Sequence, residues 1–93
     1  MTFKTMRAAI RANREAGSFF FHPDTMKFWE SIVHHSTWDA DTGLFITSER
    51  LSPDERVFTI RQLDYLNPKN IDTHARFRTM EEAVEQLRVI KAL

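Results

Sequence analysis

Cysteine is absent from the 93 residues of the chain. That single absence excludes disulfides, thiolate nucleophiles, Cys-ligated zinc and iron–sulfur clusters together. A secreted domain of this size ordinarily needs such staples, so their lack points to an intracellular setting. Glycine is scarce too, at two residues, Gly17 and Gly43. A glycine loop that cradles phosphates, or a G-x-S-x-G nucleophile elbow, needs a pattern the chain does not have. With three prolines and those two glycines there is no stretch that reads as a flexible linker. No apolar run approaches the length of a membrane span. Met1 to Ile10 lacks an apolar run followed by a small-residue cleavage site, so no signal peptide is expected. Charge of one sign is also missing: 13 Lys and Arg stand against 13 Asp and Glu. The chain is neither a polyanion mimic nor a general polycation, and any electrostatic argument has to be local.

What is present suits one small globular domain over residues 1–93. Apolar residues make up 42% of the chain, with eight Phe and two Trp, which is too apolar for disorder. A domain this short buries roughly 60–65% of its unfolded surface, enough for one modest core. The first helix is expected over Phe3 to Ala16, where Phe3, Met6, Ile10 and Asn13 recur at helical spacing and Gly17 suits the left-handed position after the end. Ser18 to Phe21 reads as a short extended run. His22-Pro23 opens a second helix, with Phe21 and Met26 at the staple positions and Met26, Trp29, Ile32 and Val33 as its apolar face. That helix is expected to end near His34 to Ser36. Trp38 to Phe45 holds the turn-rich Asp39-Ala40-Asp41-Thr42-Gly43. Leu44 to Ser48 and Arg56 to Leu63 read as strands around a Ser52–Glu55 turn, and Ile71 to about Arg76 as another after Asn67–Asn70. Thr79 and Glu82 have capping-box spacing and open a last helix with Met80, Ala83, Val84, Leu87 and Ile90 on one face. The pattern predicts an α+β fold: an antiparallel meander of three to four strands packed against three helices in two layers.

Chemistry-bearing residues do not assemble into a catalytic pattern. His22 and His34 would lie at opposite ends of one helix, about 18 Å apart at 1.5 Å per residue. His34 and His35 would diverge by about 100° on that helix. His74 lies far along the chain, and no H-E-x-x-H occurs, so no metal site is expected. Asp39 to Gly43 resembles the start of a calcium loop, but Gly43 falls at position 5 and Arg50 at position 12, where a ligand and a Glu belong. The reading is therefore a turn. No cofactor, small-molecule substrate or enzymatic activity is expected.

The most specific signal lies in the first helix. Lys4, Arg7, Arg11 and Arg14 are spaced 3, 4 and 3 apart and form one stripe beside Phe3, Met6 and Ile10. No acid interrupts them, and Glu15 follows. Such a stripe suits phosphates or an acidic protein surface. Arg76 and Arg78 would extend it if the fold gathered them in. The acid-then-base order of the last helix, Glu81, Glu82 and Glu85 before Arg88 and Lys91, answers the helix dipole. Phe19, Phe20, Phe21, Phe28 and Trp29 read mainly as core, and Trp38 as a candidate anchor for a partner.

Several segments, in order, resemble a family of small bacteriophage and prophage proteins. They are Asn13 with Gly17, Phe20-Phe21, Thr25-Met26-Lys27-Phe28-Trp29 with Ser31, Phe45-Ile46-Thr47-Ser48-Glu49, Arg56-Val57-Phe58-Thr59-Ile60-Arg61, Ile71 with Thr73, and Phe77 to Ala83. The likeness runs from about Asn13 to Ala83 and extends to phage anti-CRISPR proteins that act on type I surveillance complexes. It implies a protein of the bacterial host's cytoplasm that binds Cas proteins, with guide RNA as a further contact, and blocks target DNA. Such a complex holds its nucleic acid in a positive channel, so a basic stripe would meet RNA backbone or an acidic Cas patch. The chain departs from the resembled pattern over His34 to Trp38, which marks His34, His35 and Trp38 as a candidate partner surface. The alternative is an accessory nucleic-acid-binding protein that needs no Cas partner.

Overall fold

The computed structural model describes residues 2–93. Three helices and four strands follow in the order α1 (Met6–Glu15), α2 (Pro23–Trp29), β1 (Ile32–Asp39), β2 (Leu44–Ser52), β3 (Glu55–Leu63), β4 (Ile71–Phe77) and α3 (Met80–Lys91). The strands pair antiparallel in the order β1-β2-β3-β4, a meander. The α+β class read from the sequence is the class observed. The Cα radius of gyration is 12.7 Å, close to the about 12 Å expected of a folded chain this long.

The layering differs from the two-layer expectation, because successive strand residues face opposite sides. Phe45 and Leu63 join Met6, Ala9 and Phe21 in one buried cluster, with Phe20, Met26, Val33, Trp38 and Ile71 around it. Leu44, Ile46 and Ile60 join Ala83 and Leu87 in another, flanked by Phe58, Phe77 and Met80. The sheet therefore separates α1 and α2 on one face from α3 on the other. The central strands β2 and β3 are apolar at successive positions because both of their faces are covered.

Local chemistry explains where the elements begin and end. Thr5 caps α1 by accepting from the Ala8 N–H at 3.1 Å, so the helix starts at Met6 and not at Phe3. Gly17 takes φ +94° and closes the helix, its N–H on Arg14 and the Ser18 N–H on Asn13, a Schellman ending. Ser18–Phe21 is not extended: the His22 N–H bonds the Phe19 carbonyl at 3.1 Å, and Ser18 Oγ holds the Phe20 N–H. This turn splays the three Phe, burying Phe21 and leaving Phe19 exposed.

Helix α2 starts at Pro23 as expected and stops five residues before His34. Glu30 adopts the left-handed conformation at φ 47°, and the Ser31 N–H reaches the Met26 carbonyl at 2.8 Å, again a Schellman ending. Two arginines of the β2–β3 hairpin hold Glu30 there. Arg50 Nε lies 2.5 Å from its carboxylate, and Arg56 Nη2 donates to its carbonyl at 2.7 Å. Ile32 to Asp39, including both histidines and Trp38, form strand β1. Its ladder breaks between His34 and Asp39, where Thr37 Oγ1 accepts the Ile46 N–H at 2.8 Å in place of a backbone carbonyl. Helix α3 opens as the capping box requires, Thr79 Oγ1 accepting from the Glu82 N–H at 3.2 Å.

Candidate functional site

Arg7, Arg11 and Arg14 lie along the solvent side of α1, about 100° per residue carrying them away from the buried Met6, Ala9 and Asn13. Lys4 is exposed as well, but on the arm before the Thr5 cap and not on the helix. Among the described residues none of these four cations is in an ion pair. The helix is held rigidly beneath them. Asn13 is fully buried and donates Nδ2 to the Pro68 carbonyl at 2.7 Å, pinning the end of α1 to the β3–β4 loop. At its start, the Phe3 ring stacks on Tyr65 with centroids 5.5 Å apart. Four cations against the one acid Glu15 within residues 2–16 make a local positive field on a chain of zero net charge.

The sequence-read partner residues divide. His35 is exposed and, with Trp38, Lys4 and Arg7, lines a shallow depression of about 410 Å³. The fold thus joins part of the histidine–tryptophan segment to the basic stripe. Trp38 is not a free anchor: it is half-buried, its indole N–H donates to the Phe3 carbonyl at 2.9 Å, and its ring packs on Phe45. His34 points to the opposite face of β1, since neighbouring strand residues alternate. It contacts the Phe58 ring and the Ser48 hydroxyl, with Nε2 to Oγ 3.1 Å. Arg76 and Arg78 do not extend the stripe. Arg76 stands opposite Thr59, five residues or about 16 Å along β4 from the Ile71 that packs under α1. Arg78 is exposed in the link to α3, which covers the other face. Among the described residues no group of three or more His, Asp or Glu stands together as a metal site would require, and no helix is long and apolar enough to cross a membrane.

A second site lies on the α1/α2 face of β2 and β3, and sequence reasoning missed it. Glu49 and Arg61 are almost wholly buried there, with Oε1 and Nη2 3.0 Å apart. Glu49 Oε1 also accepts from Thr47 Oγ1, and Oε2 accepts from Thr59 Oγ1 at 2.9 Å. Arg61 further donates Nε to Thr47 at 2.8 Å and Nη1 to Thr73 at 2.9 Å, and its Cζ sits 4.8 Å from the centre of the Phe20 ring. Burying this pair is tolerable because the two charges meet directly, hydrogen bonds occupy both Glu49 oxygens, and each Arg61 nitrogen makes one bond. Above it opens a cleft of about 260 Å³ walled by Phe20, Trp29 and Leu51, with Thr25, Ser31 and Arg76 also lining it. The signal was the alternation Thr47-x-Glu49 and Thr59-x-Arg61, which puts four polar side chains on one face of adjacent strands.

On the α3 side, Ser48 Oγ receives Arg56 Nε at 3.2 Å and Nη2 at 3.1 Å in addition to the His34 ring. Burial pushes the His34 pKa below the ordinary histidine value, and the Arg56 charge adds to the depression while Glu49 opposes it. A neutral imidazole packed beside a guanidinium fits a structural role.

Fold and surface together define a small α+β protein in which a helix with a continuous cationic face is mounted on a four-stranded sheet. By sequence the chain belongs to DUF7447, a family of unknown function, whose model matches residues 2–91. No curated protein and no solved structure matches it.

Proposed function

We propose that this protein acts by binding an anionic macromolecular surface through α1. What carries the reading is the exposed stripe of Lys4, Arg7, Arg11 and Arg14, unpaired among the described residues and continuous with His35. Leaving three arginines unpaired on one face of a rigid helix places planar donors where phosphate or carboxylate groups can accept from them. The setting we propose is the bacterial cytoplasm, with the protein seated as an inhibitor on a type I CRISPR surveillance complex and touching guide RNA or an acidic Cas patch. That narrower part is supported by the phage-like segments from Asn13 to Ala83, and the basic face gives it a point of contact.

The test is a gel shift of target DNA by a type I surveillance complex, with the protein added to the complex first, added last, and mixed with DNA alone. Loss of the shift only on prior addition supports the inhibitor, and Arg7→Glu with Arg11→Glu must then restore DNA binding. An unaffected complex together with a shift in the protein-and-DNA lane instead identifies a nucleic-acid binder acting without Cas. No effect in any lane rejects both.

A further inference from the structure

We infer that the cleft over Glu49 and Arg61 is a binding site for a carboxylate attached to a single ring or branched apolar group. This goes beyond the α1 reading, since the cleft shares no lining residue with the depressions along α1. Arg61 has five N–H groups. Its Nε–H is held by Thr47, one Nη1–H by Thr73 and one Nη2–H by Glu49. One N–H on each terminal nitrogen is left without a partner, a charged donor that a carboxylate oxygen can accept from. Both oxygens of Glu49 are already occupied by Thr47, Thr59 and Arg61. The buried pair is neutral as a unit, and Arg76, without an acidic partner among the described residues, gives the cleft its net positive charge.

The walls select the rest of the ligand. Trp29 and Leu51 remain 44% and 43% exposed beside the cleft, unusual for large apolar side chains flanking a buried charge pair. Arg61 already carries Phe20 on its plane, so the guanidinium is fixed in orientation before any ligand arrives. The cleft, about 260 Å³ and open to solvent on one side, has room for a single ring or a branched apolar group with its carboxylate. That matches an aryl or branched-chain carboxylate. The same chemistry is offered by a free acid and by the C-terminal residue of a partner chain.

Two-dimensional NMR of the full chain distinguishes these. The probes are phenylacetate, 2-phenylethanol, a short acetylated peptide ending in Phe, and the same peptide amidated at its end. The Trp29 indole and Arg61 Nε–H signals are expected to shift saturably with phenylacetate at millimolar concentration, and at least tenfold more weakly with 2-phenylethanol. Arg76→Gln weakens the acid about fivefold, as loss of one partly exposed charge contact should. Leu51→Glu, which puts a like charge on the exposed rim, blocks the acid without unfolding the chain. Tighter binding of the acid-ended peptide than of both phenylacetate and the amide assigns the site to a partner's chain end; binding of phenylacetate with exclusion of both peptides assigns it to a free acid. The inference is overturned if no saturable shift occurs at these two signals, or if the alcohol binds as well as the acid. Arg7→Glu with Arg11→Glu leaves all of these shifts unchanged, so the outcome is independent of the α1 reading.

Discussion

Glu49 Oε1 and Arg61 Nη2 lie 3.0 Å apart on the α1/α2 face of the sheet, their side chains 9% and 13% exposed. Arg61 stands opposite Phe45 and Glu49 opposite Val57, so the two side chains run toward each other past the Thr47–Thr59 pair. Removing one partner leaves the other charged and buried. Glu49→Leu alone is expected to cost about 3–5 kcal/mol of unfolding free energy, and Arg61→Met alone a similar amount. The double change Glu49→Leu with Arg61→Met should cost much less than the sum, because no orphan charge remains. Urea denaturation of the three variants checks this; additive losses would show that the groups do not act as a pair.

Gly43 and Gly17 both hold positive φ, yet they should respond differently to alanine. A Cβ on Gly43, at φ +81°, would lie 2.7 Å from the Leu63 carbonyl oxygen, whereas one on Gly17, at φ +94°, would meet nothing within 4 Å. Gly17→Ala is expected to cost about 1 kcal/mol from backbone strain alone. Gly43→Ala adds a clash with backbone that cannot swing aside, for a total of about 2–4 kcal/mol. Thermal unfolding of the two variants ranks them; equal shifts would contradict the tight β1–β2 turn.

The depressed pKa of His34 ties stability to pH. The folded state holds its imidazole neutral, through burial first and the Arg56 charge second, while the unfolded chain protonates near 6.5. Below 6.5 the unfolded state binds more protons, so stability falls as pH drops from 6.5 through the folded-state value. It is fully present above 6.5. His34→Gln, which cannot titrate, is expected to flatten the unfolding midpoint over that window relative to the native chain. A pH series of midpoints decides it, and parallel curves would remove His34 as the cause.

The elements legible in the sequence were those with local punctuation. Gly17 marked the end of α1, Thr79 with Glu82 marked the start of α3, and the Ser52–Glu55 turn placed the central hairpin. The end of α2 was hidden because Glu30, not glycine, takes the left-handed position, held there by Arg50 and Arg56 from far along the chain. With that stop unseen, His34 and His35 were read onto a helix, and the Thr37 irregularity erased the alternation that would have marked β1. The Arg7, Arg11 and Arg14 part of the cationic stripe was readable from spacing alone, since helical geometry fixes it, whereas Lys4 falls before the Thr5 cap and off the helix. The Glu49–Arg61 cleft was not, because its walls come from α2 and three strands whose adjacency only the tertiary fold creates.

The salt response of α1 should report how many phosphates it meets. Each backbone phosphate neutralised contributes about 0.7–0.9 to the slope of log K against log salt. Removing one arginine of the stripe is therefore expected to lower the slope by about one contact, with little change in stability because Arg7, Arg11 and Arg14 are exposed and unpaired among the described residues. Arg14→Ala and Arg88→Ala make the comparison, since Arg88 sits on α3 over the other face and pairs with Glu85. Slopes lowered equally by both would point to diffuse attraction and not to α1.

The central claim is tested most directly by fluorescence anisotropy of a labelled RNA-loaded type I surveillance complex titrated with the native chain and with the Arg7→Glu, Arg11→Glu variant at low and physiological salt. Saturable binding by the native chain that weakens with salt is expected, together with loss of that binding in a variant whose thermal unfolding is unchanged. Equal binding by the two proteins, or none by the native chain to the complex or to free RNA at low salt, would contradict it.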